Sequence, residues 1–281
     1  MTRWLTRVGW RHAVGLLAVA FSVFPILFVI SAALNPLGTL SSTSLIPTGA
    51  TLRNATNLFD RTEFGHWYLN SIVISGVSAF AAVFLSLLAA YAFSRMRFAG
   101  RRVGLLALLL IQMFPQFLAI VTIFLLFSRI GDFWPAVGLN TSWGLILLYL
   151  GGALGVNTWL MKGFLDTVPK ELNESATMDG ASHAQAFFQI ILPLVTPIVA
   201  VTGLLAFIGV INEFIMASVF LTQPASKTLA VGLYGLVSGE RNNNFGLFCV
   251  GSLLTAIPTL LVFQLLQRYI VSGLTSGAVK G

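Results

Sequence analysis

The sequence has 281 residues, of which 57% are hydrophobic and only 9% are charged. A soluble domain carries about 25% charged residues, so this composition excludes an ordinary soluble globular protein and predicts a membrane protein. The net charge of +7 does not indicate nucleic-acid binding, because the basic residues flank the ends of the hydrophobic runs, where they set membrane topology. The single cysteine, Cys249, excludes an intramolecular disulfide and a cysteine metal cluster.

Six hydrophobic segments are long enough to cross a bilayer core, which takes about 20 mainly apolar residues. We expect an all-α integral membrane protein with six transmembrane helices, at residues 12–34, 67–93, 103–127, 142–164, 194–220 and 246–270. The first segment is longer than a signal-peptide core, and no small-x-small cleavage site follows it at the right distance. We therefore interpret it as an uncleaved span.

The distribution of Lys and Arg predicts the orientation. When both chain ends are placed in the cytoplasm, eleven of the 16 basic residues lie inside and five lie outside, as the positive-inside rule requires. The basic run at residues 94–102 is then a tight cytoplasmic turn, and the polar segment 166–193 is also cytoplasmic. The first outside loop, residues 35–66, is interpreted as a connector, with a binding lip as the alternative.

Two polar or helix-breaking features fall inside predicted spans. Pro115 lies in the middle of the third span and frees a backbone carbonyl, which suits either a helix that lines a transport route or a packing kink. The fifth span contains an acidic residue, Glu213, beside Asn212. A carboxylate is costly in hydrocarbon, so Glu213 is either a proton relay or, as we expect, a polar contact between helices or subunits.

The polar segment 166–193 has the pattern of two short helices joined by a turn. Val168, Leu172 and Ala176 recur at helical spacing and predict one apolar face. Gly180 stands where the first helix would end in the left-handed conformation. A second helix then begins at the capping box Ser182-x-x-Gln185, and Pro193 is expected to end it.

Residues in this segment resemble the coupling loop of the membrane subunits of ABC importers, whose pattern is E-A-A-x3-G-x9-I-x-L-P. The matching residues are Glu174, Ser175, Ala176, Gly180, Ile190, Leu192 and Pro193, and only Ser175 departs from the pattern, in place of Ala. The stretch Thr228–Leu236 and the LTSGAVKG ending further resemble the smaller permease subunit of maltose-type sugar importers.

The resemblance implies a type I ABC importer permease fold in the plasma membrane of a bacterium or archaeon. It divides the chain into an N-terminal region (1–66), a five-helix core (67–270) that includes the cytoplasmic coupling loop (166–193), and a cytoplasmic tail (271–281). The implied partners are a second homologous permease subunit, two copies of a cytoplasmic ATPase that carries Mg-ATP, and an extracytoplasmic sugar-binding protein.

The resemblance also assigns roles to individual residues. The coupling-loop residues named above would contact the ATPase. The last outside loop would reach the sugar-binding protein through Gly239, Glu240, Arg241, Asn242, Asn243 and Asn244. The tail would contact the ATPase through Gly277, Val279 and Lys280.

The chain has no P-loop motif, no hydrolase nucleophile motif and no metal-ligand spacing, so we expect no catalysis and no bound cofactor in this chain. Maltose or maltodextrin is the expected substrate. Trehalose, another oligosaccharide or a non-sugar solute is the alternative within the same class. An ion-driven secondary transporter that uses Glu213 is the alternative from another class.

Overall fold

The computed structural model describes residues 8–40, 46, 49–238 and 244–278, and these residues form helices and no strand. We label the helices α1 to α11 in chain order. They are α1 (Trp10–Leu34), α2 (Arg53–Arg61), α3 (Phe64–Arg95), α4 (Arg101–Met113), α5 (Ile120–Phe133), α6 (Ser142–Leu165), α7 (Glu171–Met178), α8 (His183–Ile211), α9 (Ile215–Phe220), α10 (Leu229–Val237) and α11 (Phe245–Ala278).

Five of these helices are long and apolar enough to cross a membrane: α1, α3, α6, α8 and the part of α11 from Phe245 to Ile270. A sixth crossing is made when α4 and α5 are counted together, since they form a bent pair. Large apolar side chains cover the outer surfaces of these helices, as a lipid-facing protein requires. The prediction of an all-helical membrane protein is therefore confirmed.

The third predicted span, 103–127, is not one helix. It breaks after Met113, and the two halves meet at an angle of 73°. Phe114 adopts an extended conformation, as a residue before proline prefers, because the Pro115 ring clashes with the helical alternative. A short 3₁₀ turn at Gln116–Ala119 then leads into α5.

The fifth predicted span, 194–220, is wrong at both ends. Its helix starts earlier, at His183, and stops at Ile211; α9 follows after a break at residues 212–214. Pro193 does not end the second short helix as expected. A π-helical segment, Ala186–Ile191, directly precedes it, and this wider turn lets the helix continue through a residue without an N–H.

The last helix extends beyond the predicted span 246–270. Residues 271–278, which the sequence analysis assigned to a tail separate from the membrane core, continue α11 to Ala278. Extending an existing helix adds one hydrogen bond for each residue that is fixed, whereas a separate short helix would have to nucleate.

The chain divides into two compact units, the first being Met1–Gly65 with Val231–Ile257. Its core contains Ala32, Ala33 and Cys249, packed against Phe245 and Phe248. The buried Asn54 holds the turn after α1, since its amide donates to the carbonyls of Ala33 (2.9 Å) and Asn35 (2.8 Å).

The second unit is His66–Ala230 with Pro258–Gly281. One of its core clusters joins α3, α6 and α8 through Leu87, Tyr91, Leu165, Phe187 and Ile191. Leu87, Tyr91 and Leu165 lie towards the ends of α3 and α6 that adjoin the polar segment 166–193, and Phe187 and Ile191 belong to the segment itself. The polar segment is therefore packed directly onto the helices that cross the membrane.

Candidate functional site

The polar segment 166–193 folds as the local sequence predicts as far as its turn. The N–H of Gly180 donates to the Thr177 carbonyl and that of Ala181 to the Ala176 carbonyl, so α7 ends in a Schellman motif. Gly180 has a φ of +83°, the left-handed conformation expected for it. The capping box is also confirmed, because Ser182 and Gln185 each accept a hydrogen bond from the backbone N–H of the other.

Aromatic and amide contacts fasten this segment to α3. The ring of Phe187 packs edge-on against that of Tyr91, with centroids 5.0 Å apart. The amide of Asn173 donates to the Tyr91 hydroxyl at 3.1 Å. Both halves of the segment are thereby tied to the same residue of α3.

Charged residues tie the segment to the ends of α3 and α6. The Nη2 atom of Arg95 donates to the carbonyls of Leu165 (2.8 Å) and Val168 (2.6 Å). The Asp166 carboxylate accepts a hydrogen bond from Ser94 at 2.7 Å and another from Lys162, with which it forms an ion pair. The last turn of α3 thus holds the start of the polar segment at two points.

The charges around Asp166 also set its protonation. Partial burial raises its pKa, but the hydrogen bonds from Lys162 and Ser94, together with the positive charges of Lys162 and Arg101, outweigh that effect. The pKa of Asp166 therefore lies below its ordinary value, and the carboxylate stays ionised at neutral pH.

The structure separates the predicted coupling residues into exposed and buried groups. Glu174, Ser175, Gly180 and Pro193 are exposed, Ile190 and Leu192 are half-buried, and Ala176 is buried at 5% exposure. The predicted apolar face is only partly formed, because Val168 and Ala176 are buried while Leu172 is 40% exposed. Glu174 therefore stands on the free side of a helix whose opposite side is packed.

A cleft of about 570 Å³ lies between the turn after α3 and the exposed side of α7. We call it the basic cleft. Its charged lining consists of Arg95, Arg97, Arg101, Lys170 and Glu174. Four cations thus face one carboxylate, and no ion pair joins Glu174 to any of them in the part of the chain that the structure describes.

Glu213 makes a contact between helices. One carboxylate oxygen accepts from the Met216 N–H at 2.8 Å, and the other accepts from the Ala217 N–H at 3.0 Å and from the Tyr149 hydroxyl at 2.6 Å. The carboxylate therefore caps the N-terminus of α9 and links α9 to α6. Because a capping residue lies outside the helix, α8 stops before Glu213. Within the described residues, the side chain of Asn212 donates to the Ile208 carbonyl of its own helix, at 2.9 Å.

Asn140 holds together the loops on the side of the membrane opposite the polar segment. It has a positive φ of 60°, and its side-chain oxygen accepts from the backbone N–H groups of Thr222 (2.7 Å) and Gln223 (3.0 Å). On the other side of the same loop, Trp67 donates to the Pro224 carbonyl at 2.7 Å. The loop after α9 is thus pinned to the starts of both α3 and α6.

Gln112 inserts its amide into α6. It donates to the Gly152 carbonyl (2.8 Å) and accepts from the Val156 N–H (3.0 Å), the two groups that an α-helix would bond to each other. Gly155 makes room for it, since a Cβ there would lie 2.1 Å from the Gln112 Cδ atom. This interlock joins α4 to α6 next to the break at Pro115.

Several predicted site residues lie outside the described residues, namely Gly239, Glu240, Arg241, Asn242, Asn243, Val279 and Lys280. Of the same two groups, Asn244 is exposed directly before α11 and Gly277 lies in its last turn. In the first unit, Asn244 lines a second cleft of about 430 Å³ with Arg53 and Arg61 of α2.

Sequence reasoning missed Gln112, Asn140 and Tyr149. A signal existed for the first, because Gly151 and Gly155 are one helical turn apart and small residues at this spacing permit close approach. Asn140 and Tyr149 act over 64 to 86 residues of sequence separation, and no local pattern marks them.

Comparison with known proteins adds a family and a fold. A family model described as "Binding-protein-dependent transport system inner membrane component" matches residues 82–276. The chain is 42% identical to the galactooligosaccharides transport system permease protein GanQ of Bacillus subtilis (strain 168), over 92% of this chain and 90% of that protein.

Two further relatives have names from maltodextrin transport. The chain is 39% identical to the maltose/maltodextrin transport system permease protein MalG of Escherichia coli (strain K12), over 98% of this chain and 96% of that protein. It is 42% identical to the maltodextrin transport system permease protein MalD of Streptococcus pneumoniae (strain ATCC BAA-255 / R6), over 81% and 79%.

A solved structure has the same fold. It is the crystal structure of a bacterial ABC transporter involved in the import of the acidic polysaccharide alginate. The TM-score is 0.76 at 21% identity, and the match covers 95% of this chain and 98% of that chain.

Proposed function

Because this chain belongs to the family of inner membrane components of binding-protein-dependent transport systems, we propose that it is the permease subunit of an ATP-driven oligosaccharide importer. It forms half of the translocation path with a second, homologous permease. It contains no nucleotide-binding motif, so Mg-ATP is hydrolysed by two ATPase subunits on its cytoplasmic side, and an extracytoplasmic protein delivers the sugar.

The observation that carries the proposal is the exposed Glu174 on a firmly anchored α7. Asn173, Arg95 and Phe187 hold the polar segment 166–193 to the ends of α3 and α6. A load applied by the ATPase at Glu174 and Ser175 therefore reaches the membrane helices without being absorbed by a flexible joint. The load then passes into the membrane along α8, which contains Ile190, Leu192 and Pro193.

The other predicted roles follow from the same assembly. The last outside loop, residues 239–244, reaches the sugar-binding protein, and Arg53 and Arg61 beside Asn244 offer that protein a basic surface. Gly277, Val279 and Lys280 at the end of α11 meet the ATPase. With both chain ends in the cytoplasm, these contacts fall on the sides of the membrane where each partner resides.

Maltose or maltodextrin is the proposed substrate, on the strength of the two relatives named for maltodextrin transport. Galactooligosaccharides are the second candidate, since the relative named for them is equally similar at 42% identity. An ion-driven mechanism has less support, because both carboxylate oxygens of Glu213 already accept hydrogen bonds, from the N-terminus of α9 and from the Tyr149 hydroxyl.

The test is sugar uptake and ATP hydrolysis by the complete complex in proteoliposomes, with Glu174→Ala beside Glu171→Ala. Both changes remove an acidic residue from the first turn of α7, so they cost the helix similar stability, but only the first removes the proposed ATPase contact. We expect Glu174→Ala to lose uptake and Glu171→Ala to keep most of it. Equal uptake by both variants would contradict the role of Glu174.

The same proteoliposomes decide the energy source and the substrate. Uptake should require internal ATP and should survive collapse of the proton and sodium gradients, and Glu213→Gln should not change that requirement. A panel of maltodextrins, trehalose and galactooligosaccharides, each with the cognate binding protein, identifies the sugar. Uptake that follows an ion gradient without ATP would overturn the proposal.

A further inference from the structure

The interlock between Gln112 and α6 uses two groups that α6 can also pair without it. The Gly152 carbonyl and the Val156 N–H stand four residues apart, the spacing of a hydrogen bond within an α-helix. We propose that the interlock is a releasable contact, which is closed in this structure and opens as the permease changes between inward-open and outward-open states. The end of α4 then moves away from α6. The proposal rests on the proposed transport function only for the existence of two states.

The exchange of partners keeps α6 satisfied in both states. Inside a bilayer an unpaired backbone N–H or carbonyl is costly, because no water replaces the lost partner. When Gln112 withdraws, the Gly152 carbonyl and the Val156 N–H pair with each other, so opening replaces two hydrogen bonds by one. A difference of one hydrogen bond within a membrane changes the ratio of two states by about three- to tenfold. That is small enough for the change to be reversed in every transport cycle.

The amide of Gln112 needs a new partner once it has left α6. Gln112 is half-buried and lies eleven residues after Arg101, the first residue of α4. At 1.5 Å per residue it stands about 17 Å along the helix, near the middle of a core of about 30 Å. An amide without a partner is costly at that depth, so it must meet water or a sugar hydroxyl in the translocation path. Opening of the interlock is therefore tied to hydration of the path.

The chain directly after Gln112 has the features of a joint. α4 ends at Met113, Phe114 is extended, and Pro115 has no N–H to donate, so no continuous helical ladder crosses this point. A few residues outside regular helix can absorb a change in the angle between α4 and α5, now 73°, without breaking either helix. Gln112 is the last polar side chain of α4 before the joint. It therefore determines whether the end of α4 stays with α6 or moves with the joint.

Two neighbouring contacts indicate which helix moves. Ser86 of α3 donates to the Ala153 carbonyl at 3.2 Å, one residue from the interlock, so α6 is also held by α3. Nearer the cytoplasmic end, the Trp159 indole N–H donates to the Leu105 carbonyl at 3.1 Å and holds the first half of α4 to α6. The Trp159 contact is therefore the pivot in both states, and the end of α4 is the part that moves.

The test is the distance between α4 and α6 in the complete complex, measured by pulsed electron spin resonance in lipid nanodiscs. Spin labels are attached at Leu110→Cys and Leu147→Cys, whose native side chains are 66% and 48% exposed. Cys249→Ala removes the single native cysteine of the chain. Distances are recorded without nucleotide and with an ATP analogue that cannot be hydrolysed. We expect a shorter and a longer distance, whose proportions change when the analogue binds.

Two variants open the interlock from opposite sides. Gln112→Leu removes the amide, and Gly155→Ala places a Cβ 2.1 Å from the Gln112 Cδ atom. Without nucleotide, each should raise the ratio of the longer to the shorter distance by about three- to tenfold, and the two together no further, because the interlock can be lost only once. Gly151→Ala, whose Cβ meets nothing within 4 Å, and Trp159→Phe, which loses a bond present in both states, should change that ratio less than about twofold.

Two results would overturn the proposal. A single distance in the unaltered complex, unchanged by the ATP analogue, would make the interlock a permanent packing contact. Equal shifts in the interlock variants and in Trp159→Phe would assign the effect to general loosening between α4 and α6. Sugar uptake is measured separately. Uptake with one fixed distance would refute the releasable interlock alone, and two distances without uptake of any sugar would refute the transport proposal alone.

Discussion

Replacement of Gly155 by Ala tests the interlock between α4 and α6. The new Cβ would lie 2.1 Å from Cδ and 2.3 Å from Nε2 of Gln112, distances that no relaxation of a few tenths of an ångström can accommodate. The Gln112 amide must leave, and both of its hydrogen bonds to α6 are lost. At about 0.6–1.5 kcal/mol each, their loss costs about 1–3 kcal/mol of unfolding free energy.

The control lies one turn away on the same helix. A Cβ at Gly151 meets nothing within 4 Å, so Gly151→Ala gains only helix propensity, about 1 kcal/mol in favour of the folded state. Gly155→Ala gains the same propensity, and the difference between the two variants therefore isolates the interlock.

Gln112→Ala completes the test as a double-mutant cycle. Alone, it should cost about 1–3 kcal/mol, but combined with Gly155→Ala it should cost no more than either change alone, because the Cβ then enters vacated space. Unfolding of the full chain in mixed SDS–lipid micelles gives the four free energies. Strict additivity, or equal stability of the Gly151 and Gly155 variants, would refute the interlock.

Three further changes probe other parts of the structure. Gly180→Val forces a β-branched residue to a φ of +83°, at a cost of about 2 kcal/mol or more, and should reduce ATPase co-purification, whereas Gly180→Asn, which tolerates this conformation, should retain it. Asn140→Ala should lower the free energy of unfolding by about 2–4 kcal/mol, and Asn140→Asp much less, because Asp keeps the side-chain oxygen that accepts from the N–H groups of Thr222 and Gln223; equal losses would contradict the role of that oxygen. Asp166 has a lowered pKa in the folded state, so the stability from its ionised form is present above about pH 4 and is lost as the pH falls through the folded pKa. The stability difference between the unaltered chain and Asp166→Asn should therefore shrink as the pH falls below about 4, and a constant difference would show that Asp166 does not titrate as described.

Local patterns predicted local structure well. The composition gave the membrane class, and the position of each hydrophobic run gave the approximate place of each span. The turn at Gly180 and the capping box at Ser182 depend on interactions within four or five residues, and both formed as predicted. Such short-range features are visible in a sequence because all of their participants are written next to one another.

The places where prediction failed depend on partners that are distant along the chain or on adjustments within the backbone. Glu213 was visible as an unusual residue, but its pairing with Tyr149, 64 residues away, was not. Pro193 was expected to end a helix because the π-helical segment before it leaves no mark in the amino-acid pattern. The predictions for residues 239–243 and 279–280 lie outside the described residues and stay predictions.

The π-helical segment of α8 also fixes a rotation. A helix of 29 residues is about 44 Å long, so α8 runs without a break from the turn at Gly180 through a bilayer core of about 30 Å. Within it, the π turn accommodates one residue more than an α-helical turn would, which shifts the angular phase of everything before it by about 100° relative to everything after it. The spacing of nine residues between Gly180 and Ile190 therefore fixes the rotation of α7 relative to the part of α8 that lies in the membrane. Deleting a single residue from Ala186–Ile191 would preserve the helix and aim Glu174 in another direction.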